Sequence, residues 1–448
     1  MENLNQRNKI LEFIKELEAE HGKLPKFAHN LVGNQPNKVY YSGPYFDENE
    51  MAAAIETLLF GKWSSSGEVC AKFEIEFGKY INQKASFFTN SGSSANLLLI
   101  AACKEYFGWK DGDEIIVSPV GFPTTVSAII QNGLRPVFAD IEWETLNFDL
   151  KKVETLLLDD ALLSAETNQK KKSVAIFISP VLGNPPDFDK LAALSKRFGV
   201  ELLLDGCDSL GSKWNDKHLA EYAVATSCSF YPAHEITTLE GGMVSSNIQE
   251  IVDIARSYGT WGRECWCVGK CNLLQNGSCG KRFSNWIPEF PDLVLDHKYI
   301  FNRIGYNLKP LDLQAAIGLE QLKKLDCICK IRKENFKNIQ YCFGAIPSTL
   351  AIRQLEKSDW VPFGVPVVCK DKEQKQKLVA HLEKNGIQTR NYFAGNLLMH
   401  SGYKHLDDYR KYPEANKVLD LVFFVGCAPT ISLDNIKYID RILSEWKN

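Results

Sequence analysis

Nothing in this sequence approaches the roughly 20 consecutive apolar residues that a membrane-spanning helix requires. No sign of charge dominates. Lys and Arg number 52 against 55 Asp and Glu, a net charge of −3, which argues against a nucleic-acid or membrane-surface partner. The opening stretch MENLNQRNKILEFIKELEAE is charged throughout and lacks the apolar centre of a secretory signal, so a cytoplasmic location is expected. It reads as an amphipathic helix with Ile10, Phe13, Ile14 and Leu17 on one face. Internal repeats and low-complexity tracts are absent too. The remaining composition is that of an ordinary globular protein, and 448 residues suffice for one large domain and a smaller one.

Cysteine is not scarce. Thirteen residues in a reducing compartment are expected as thiols or metal ligands rather than disulfides. Cys70, Cys103, Cys228, Cys342, Cys369 and Cys427 stand singly among apolar neighbours and read as buried free thiols. Cys327 and Cys329 fall on a predicted helix and read as structural. The stretch WGRECWCVGKCNLLQNGSCGKRF is different. It gathers Cys265, Cys267, Cys271 and Cys279 inside an irregular segment spanning about 260–300.

Between about 85 and 245, apolar strand-like runs alternate with helical patterns. ASFFT precedes SSANLLLIAACKEYF, EIIVSPV precedes TTVSAIIQNG, and VAIFISP, DKLAALSKRFG and VELLLD form a strand–helix–strand unit. Such alternation predicts an α/β fold with a mostly parallel sheet covered by helices on both faces. The 312–326 stretch starts a long helix, with Asp312 as its expected N-cap. After about 330 a smaller α+β domain is expected. The predicted organisation is a helical arm (1–50), a large α/β domain (51–330) and a small C-terminal domain (331–448).

Ligands in such sheets bind beyond the carboxyl ends of the strands, and four loops there carry chemistry. TNSGSSANLLL offers Gly92, Ser93 and Ser94 at a helix N-terminus, a ready phosphate site or simply a Ser-rich cap. LLLDGCDSLG puts Asp205 at the end of a very apolar strand, where a carboxylate needs a partner. A protonated pyridine nitrogen, an Arg or a helix end would serve. SPVGFPTTV places Phe122 where a ring could stack on a flat cofactor or join the core. SCSFYPAHEITTLEGGM sets Ser229 five residues before His234. A phosphate cradle, a ring stacker, a strand-end carboxylate and a candidate base, in this order, suggest a pyridoxal-type cofactor.

With these loops in place, the chain resembles the sugar aminotransferase family from about residue 50 to the C-terminus, including GYNLKPLDLQAAIGLEQLKKLD at 305–326. The resemblance implies the type I aspartate aminotransferase fold and a homodimer. It assigns Ser93, Ser94 and Ser229 to the phosphate, Phe122 to stacking and Asp205 to the ring nitrogen. Asn307 would reach the neighbouring subunit's phosphate. Transaminating relatives carry a lysine at the position of His234. An imidazole cannot form the Schiff base that lysine forms, so the cofactor is expected to be held non-covalently as pyridoxamine phosphate, with His234 still able to move a proton.

Lysine replaced by histidine is a feature of the keto-sugar 3-dehydrases within that family. WGRECWC, CGKRF, DHKYIFNRIGYN and FAGNLL resemble an iron–sulfur-bearing type that acts on a CDP-linked 4-keto-6-deoxyglucose. That resemblance implies Cys207, Cys265, Cys267 and Cys279 as ligands of a 2Fe–2S cluster. It further implies electrons from a separate NADH-dependent flavin/iron–sulfur reductase and a 3,6-dideoxyhexose product for lipopolysaccharide O-antigen. Here the Cys267–Cys279 interval is longer than in that pattern and contains Cys271, an alternative ligand. Four thiolates also suit zinc. Asp208, Tyr231 and Phe363 are expected to line the sugar pocket.

Overall fold

The computed structural model describes residues 2–28, 35–167, 172–264, 283–284, 287–346, 349 and 351–446. Its strands are β1 (Ala85–Thr89), β2 (Glu114–Val117), β3 (Arg135–Phe138), β4 (Ser173–Ile178), β5 (Glu201–Asp205), β6 (Lys213–Trp214), β7 (Lys217–His218), β8 (Ala225–Ser229), β9 (Gly242–Ser246), β10 (Ser358–Asp359), β11 (Gly364–Val368), β12 (Thr389–Asn391) and β13 (Val422–Gly426). Its helices are α1 (Glu2–His21), α2 (Glu48–Phe60), α3 (Glu68–Tyr80), α4 (Gly92–Phe107), α5 (Pro123–Gln131), α6 (Leu150–Thr167), α7 (Phe188–Phe198), α8 (Gln249–Gly259), α9 (Asp312–Phe343), α10 (Lys372–Lys384), α11 (Pro413–Leu421) and α12 (Leu433–Ser444).

Seven strands form the main sheet in the order β1-β9-β8-β5-β4-β2-β3. All run parallel except β9, which is antiparallel to both of its neighbours. Successive strand residues feed opposite faces. Ile115, Val117, Ala175, Phe177 and Leu203 enter one core, while Ile116, Ile176, Ile178, Leu202 and Leu204 enter the other. Helices cover both faces, which is why these strands read as unbroken apolar runs rather than alternating ones. A second, antiparallel sheet β11-β13-β12 packs Val365, Val367, Phe423 and Val425 against α9, α10 and α12. The strand expected from residue 361 begins at Gly364.

Two expectations are corrected. On α1, Ile10 and Ile14 pack against Ala52 of α2, but Phe13 is exposed. The buried stripe runs through Ile10 and Ile14 with Leu11 at its side, which turns Phe13 toward solvent. Asp312 does not cap its own helix. Its Oδ1 accepts from the Gly67 and Cys70 backbone N–H groups at 2.7 and 3.0 Å, so it caps α3 from across the fold. The six cysteines expected as buried thiols are free and buried; Cys329 is buried and Cys327 exposed.

Asp312→Ala should therefore unfold more easily by about 1–3 kcal/mol, because two buried N–H groups lose their acceptor. The check is the first transition in urea; a midpoint equal to that of the unmutated chain would mean that water or a neighbour replaces the carboxylate.

Candidate active site

The carboxyl ends of β1, β2, β5 and β8 deliver the four predicted loops to one place. Asp205 is the last residue of β5 and is buried. Its Oδ2 accepts from Asn96 Nδ2 of α4 at 2.8 Å and from Thr125 Oγ1 of α5 at 2.6 Å. Its Oδ1 accepts from the Cys207 N–H at 3.3 Å. Asn96 is held in turn by Ser227 Oγ on β8, at 2.5 Å from its Oδ1. Sequence reading missed Asn96 and Thr125. A polar residue inside an apolar helix run, LLLIAAC after Asn96, was the available signal.

The cradle is built at the start of α4. Ser91, not Ser93, caps it, with Oγ accepting from Ser94 N–H at 3.1 Å. The Ser94 hydroxyl donates to Asn90 Oδ1 at 2.7 Å, and Ser93 is exposed. Gly92 cannot carry a side chain. A Cβ there would lie 2.5 Å from Ser229 Cβ, 2.8 Å from Ser229 Oγ and 3.1 Å from Cys207 Sγ. Gly242 has the same property, since its Cβ would stand 2.3 Å from the Ser91 carbonyl oxygen. These glycines let β8, β9 and the helix N-terminus close to backbone distance. Backbone N–H groups of a helix N-terminus and serine hydroxyls are thereby gathered at one place, as a phosphate requires.

Phe122 is the N-cap residue of α5, is 53% exposed, and meets Phe393 edge-on at 6.3 Å. Phe363 is buried and lies 5.2 Å from the His234 ring; Tyr231 lies 6.4 Å from it and is 46% exposed. Asn307 is exposed and sits in a backbone bridge with Thr260. It is not brought to this chain's cradle by any hydrogen bond among the described residues.

The His234 side chain is 13% exposed, and its Nδ1 is buried with no hydrogen-bond partner. Burial, and then the positive charge of Arg332, pushes the imidazole down to about 3. Asp208 Oδ1 stands 3.6 Å from that nitrogen. Burial, followed by the neighbouring Asp205 and Glu235 carboxylates, drives the Asp208 carboxyl well up. The contact is too long for a hydrogen bond. The neutral imidazole thus has an unpartnered nitrogen that can accept a proton, and the burial that keeps it neutral also lowers its basicity.

Cys207 is the one expected cluster ligand among the described residues; Cys265, Cys267 and Cys279, with Cys271, lie outside them. Cys207 is half-buried, and its Sγ abuts the Gly92–Ser229 contact. Burial first, then Asp205, pushes that thiol well up. No group of three or more His, Cys, Asp or Glu among the described residues is arranged to hold a metal ion. No helix among them is long and apolar enough to cross a membrane.

Known proteins show the same frame. The chain is 32% identical over 449 aligned residues to the dTDP-4-dehydro-2,6-dideoxy-D-glucose 3-dehydratase of Saccharopolyspora spinosa, covering 98% of this chain and 92% of the relative. It is 33% identical over 415 residues to the lipopolysaccharide biosynthesis protein RfbH of Salmonella typhimurium, covering 90% and 91%. Among solved structures, the E. coli GDP-4-keto-6-deoxy-D-mannose-3-dehydratase with bound hydrated PLP superposes with a TM-score of 0.76 at 28% identity, covering 91% of this chain and 99% of that one. The expected aminotransferase-type fold is the one observed. A model of the DegT/DnrJ/EryC1/StrS aminotransferase family matches residues 44–444, and the chain belongs to that family.

Proposed function

We propose that this protein is a pyridoxamine-phosphate-dependent 3-dehydratase of a nucleotide-linked 4-keto-6-deoxyhexose, working as a homodimer. The observation that carries the reading is a neutral, unpartnered His234 at the catalytic position of an otherwise complete cofactor site. The relatives named above as 3-dehydratases act on dTDP- and GDP-linked sugars. CDP-4-keto-6-deoxyglucose is the substrate implied by the sequence resemblance, so a panel of CDP-, dTDP- and GDP-linked 4-keto-6-deoxyhexoses tests the nucleotide.

The residues fit such a cofactor. Gly92, Ser94, Ser229 and the N–H groups at the start of α4 would hold the phosphate, with Ser93 at the rim and Asn307 serving the neighbouring subunit. Asp205, fixed by Asn96 and Thr125, would face the ring nitrogen, and Phe122 would cover the ring. Pyridoxamine phosphate supplies an amine that can join a keto group and a ring that can accept electron density. His234 moves the proton at the cofactor's 4′ carbon, and a neutral imidazole is the form that can do so. Asp208, Tyr231 and Phe363 shape the space around it, and the upward shift of the Asp208 carboxyl weakens any pull toward a protonated His234.

We assign Cys207, Cys265, Cys267 and Cys279 to a 2Fe–2S cluster, which passes single electrons. The electrons that turn the dehydrated sugar into a 3-deoxy product would come from a separate NADH-dependent flavin/iron–sulfur reductase. The Cys spacing supports this, with Cys207 two residues after Asp205 as in the resembled pattern.

Three outcomes follow. His234→Asn should retain the cofactor but lose exchange of the 4′ proton and dehydration by at least about 10²-fold; unchanged dehydration removes His234 from this role. The same variant should flatten the acid side of the stability profile. The imidazole's folded value lies below its unfolded one, so it costs stability as pH falls from about 6.5 toward 3. Gly92→Ala should weaken pyridoxamine phosphate binding by about tenfold or more in a fluorescence titration, because its Cβ fills the cradle; equal affinity would place the phosphate elsewhere. Anaerobically purified protein should contain iron and sulfide in equal amounts. Cys265→Ser should lose both while still releasing the sugar hydroxyl. Zinc in their place would strip away the electron-transfer half of the reading.

A further inference from the structure

Arg332 lies in the middle of α9 with no exposed surface, the bulkiest of the fully buried side chains. Its helical neighbours one turn away, Ile328 and Phe336, are apolar and packed in the core, so the position is one where leucine or methionine would be expected. A guanidinium taken out of water is costly unless its donors are matched. Here backbone carbonyls match the Nη donors, while the buried Nε–H has no partner. Nη2 donates to Ala233 O at 3.0 Å and His234 O at 2.8 Å; Nη1 donates to Phe363 O at 3.1 Å and Pro362 O at 3.4 Å.

The four carbonyls belong to two separate segments. One carries His234. The other carries Phe363, whose ring packs on the imidazole at 5.2 Å, and runs directly into β11 of the second sheet. No carboxylate among the described residues comes within ion-pair distance of Arg332. Glu235, the next residue after His234, is buried with both carboxyl oxygens unpartnered. A planar fork with its donors at fixed angles sets two carbonyl pairs at once, which an ammonium or an apolar side chain cannot do.

We propose that Arg332 is a positioning residue for His234, a clamp that fixes the imidazole by locking the 233–234 carbonyls to the 362–363 carbonyls. The inference rests on His234 as the proton-moving group.

The test compares Arg332→Lys and Arg332→Met with the unmutated holoenzyme. The first readout is the rate of His234 carbethoxylation by diethyl pyrocarbonate, followed by peptide mass spectrometry on cofactor-free protein. It should rise severalfold as the ring leaves its slot. The second is dehydration of CDP-4-keto-6-deoxyglucose. Here kcat should fall on the order of 10²-fold, the cost of a displacement of about 1 Å, with KM nearly unchanged. The third is the pair of double variants with His234→Asn, where either Arg332 change should cost little further. Unchanged His234 reactivity in folded Arg332 variants overturns the clamp, as does an equal fall in kcat with or without His234. Full activity of His234→Asn alone would instead overturn the functional reading, and the reactivity measurement would still decide the clamp. If neither Arg332 variant folds, Arg332→Gln decides. Its single amide can supply at most one of the two carbonyl pairs, and His234 reactivity equal to that of the unmutated chain overturns the proposal.

Discussion

The site depends on one buried carboxylate that must be satisfied. Asp205 ends the apolar strand β5, and its Oδ2 finds two donors, Asn96 and Thr125. Those donors belong to the two helices that carry the phosphate cradle and Phe122. Leaving either bond unmade would cost about 1–3 kcal/mol, so satisfying the carboxylate also fixes the cradle and the aromatic relative to the sheet. Ser227, directly beside Asp205 in the β5–β8 ladder, extends the same constraint to the strand that ends in Ser229. The other oxygen, Oδ1, is left with only a long contact from Cys207 N–H, so it retains acceptor capacity.

Around that carboxylate the protein removes charge rather than adding it. Burial, with the neighbouring Asp205 and Glu235, pushes Asp208 well up; burial pushes Glu235 up to about 7; and burial and Arg332 hold His234 down to about 3. The sequence resemblance implies a lysine at this place in transaminating relatives, linked covalently to the cofactor. A neutral imidazole beside Tyr231, Phe363 and Asp208 can form no such link, yet keeps a nitrogen that can accept a proton. The environment therefore favours proton transfer over covalent attachment, and the replacement of lysine by histidine is matched by its surroundings.

Most of the main sheet was legible because its signal is local. Unbroken apolar runs, Gly-rich turns and helix periodicity sit on contiguous residues, and the observed strands fall within three residues of the expected ones. What the sequence hid was non-local. Asp312 looks like the cap of the helix it opens, yet its carboxylate reaches the start of α3, some 240 residues earlier in the chain. Ser91 and Gly92 were both within sight, but which hydroxyl caps the helix depends on the extended backbone at Ser91. Asn96, Thr125 and Arg332 are buried polar residues, Arg332 within the charged stretch Lys330–Glu334. Periodicity marks them as anomalies without naming the partners that make them tolerable.

Those anomalies share one explanation. Each is a polar side chain at a core position whose hydrogen bonds go to a residue of the site or to its backbone. Asn96 and Thr125 hold the Asp205 side chain, while Arg332 holds the His234 main chain. An apolar residue at any of the three would remove a desolvation cost and simplify packing. None could fix direction, because dispersion contacts are nearly isotropic whereas hydrogen bonds are not. In the proposed function a carboxylate that meets a ring nitrogen and an imidazole that reaches one carbon both need direction, and the buried polar residues of α4, α5 and α9 supply it.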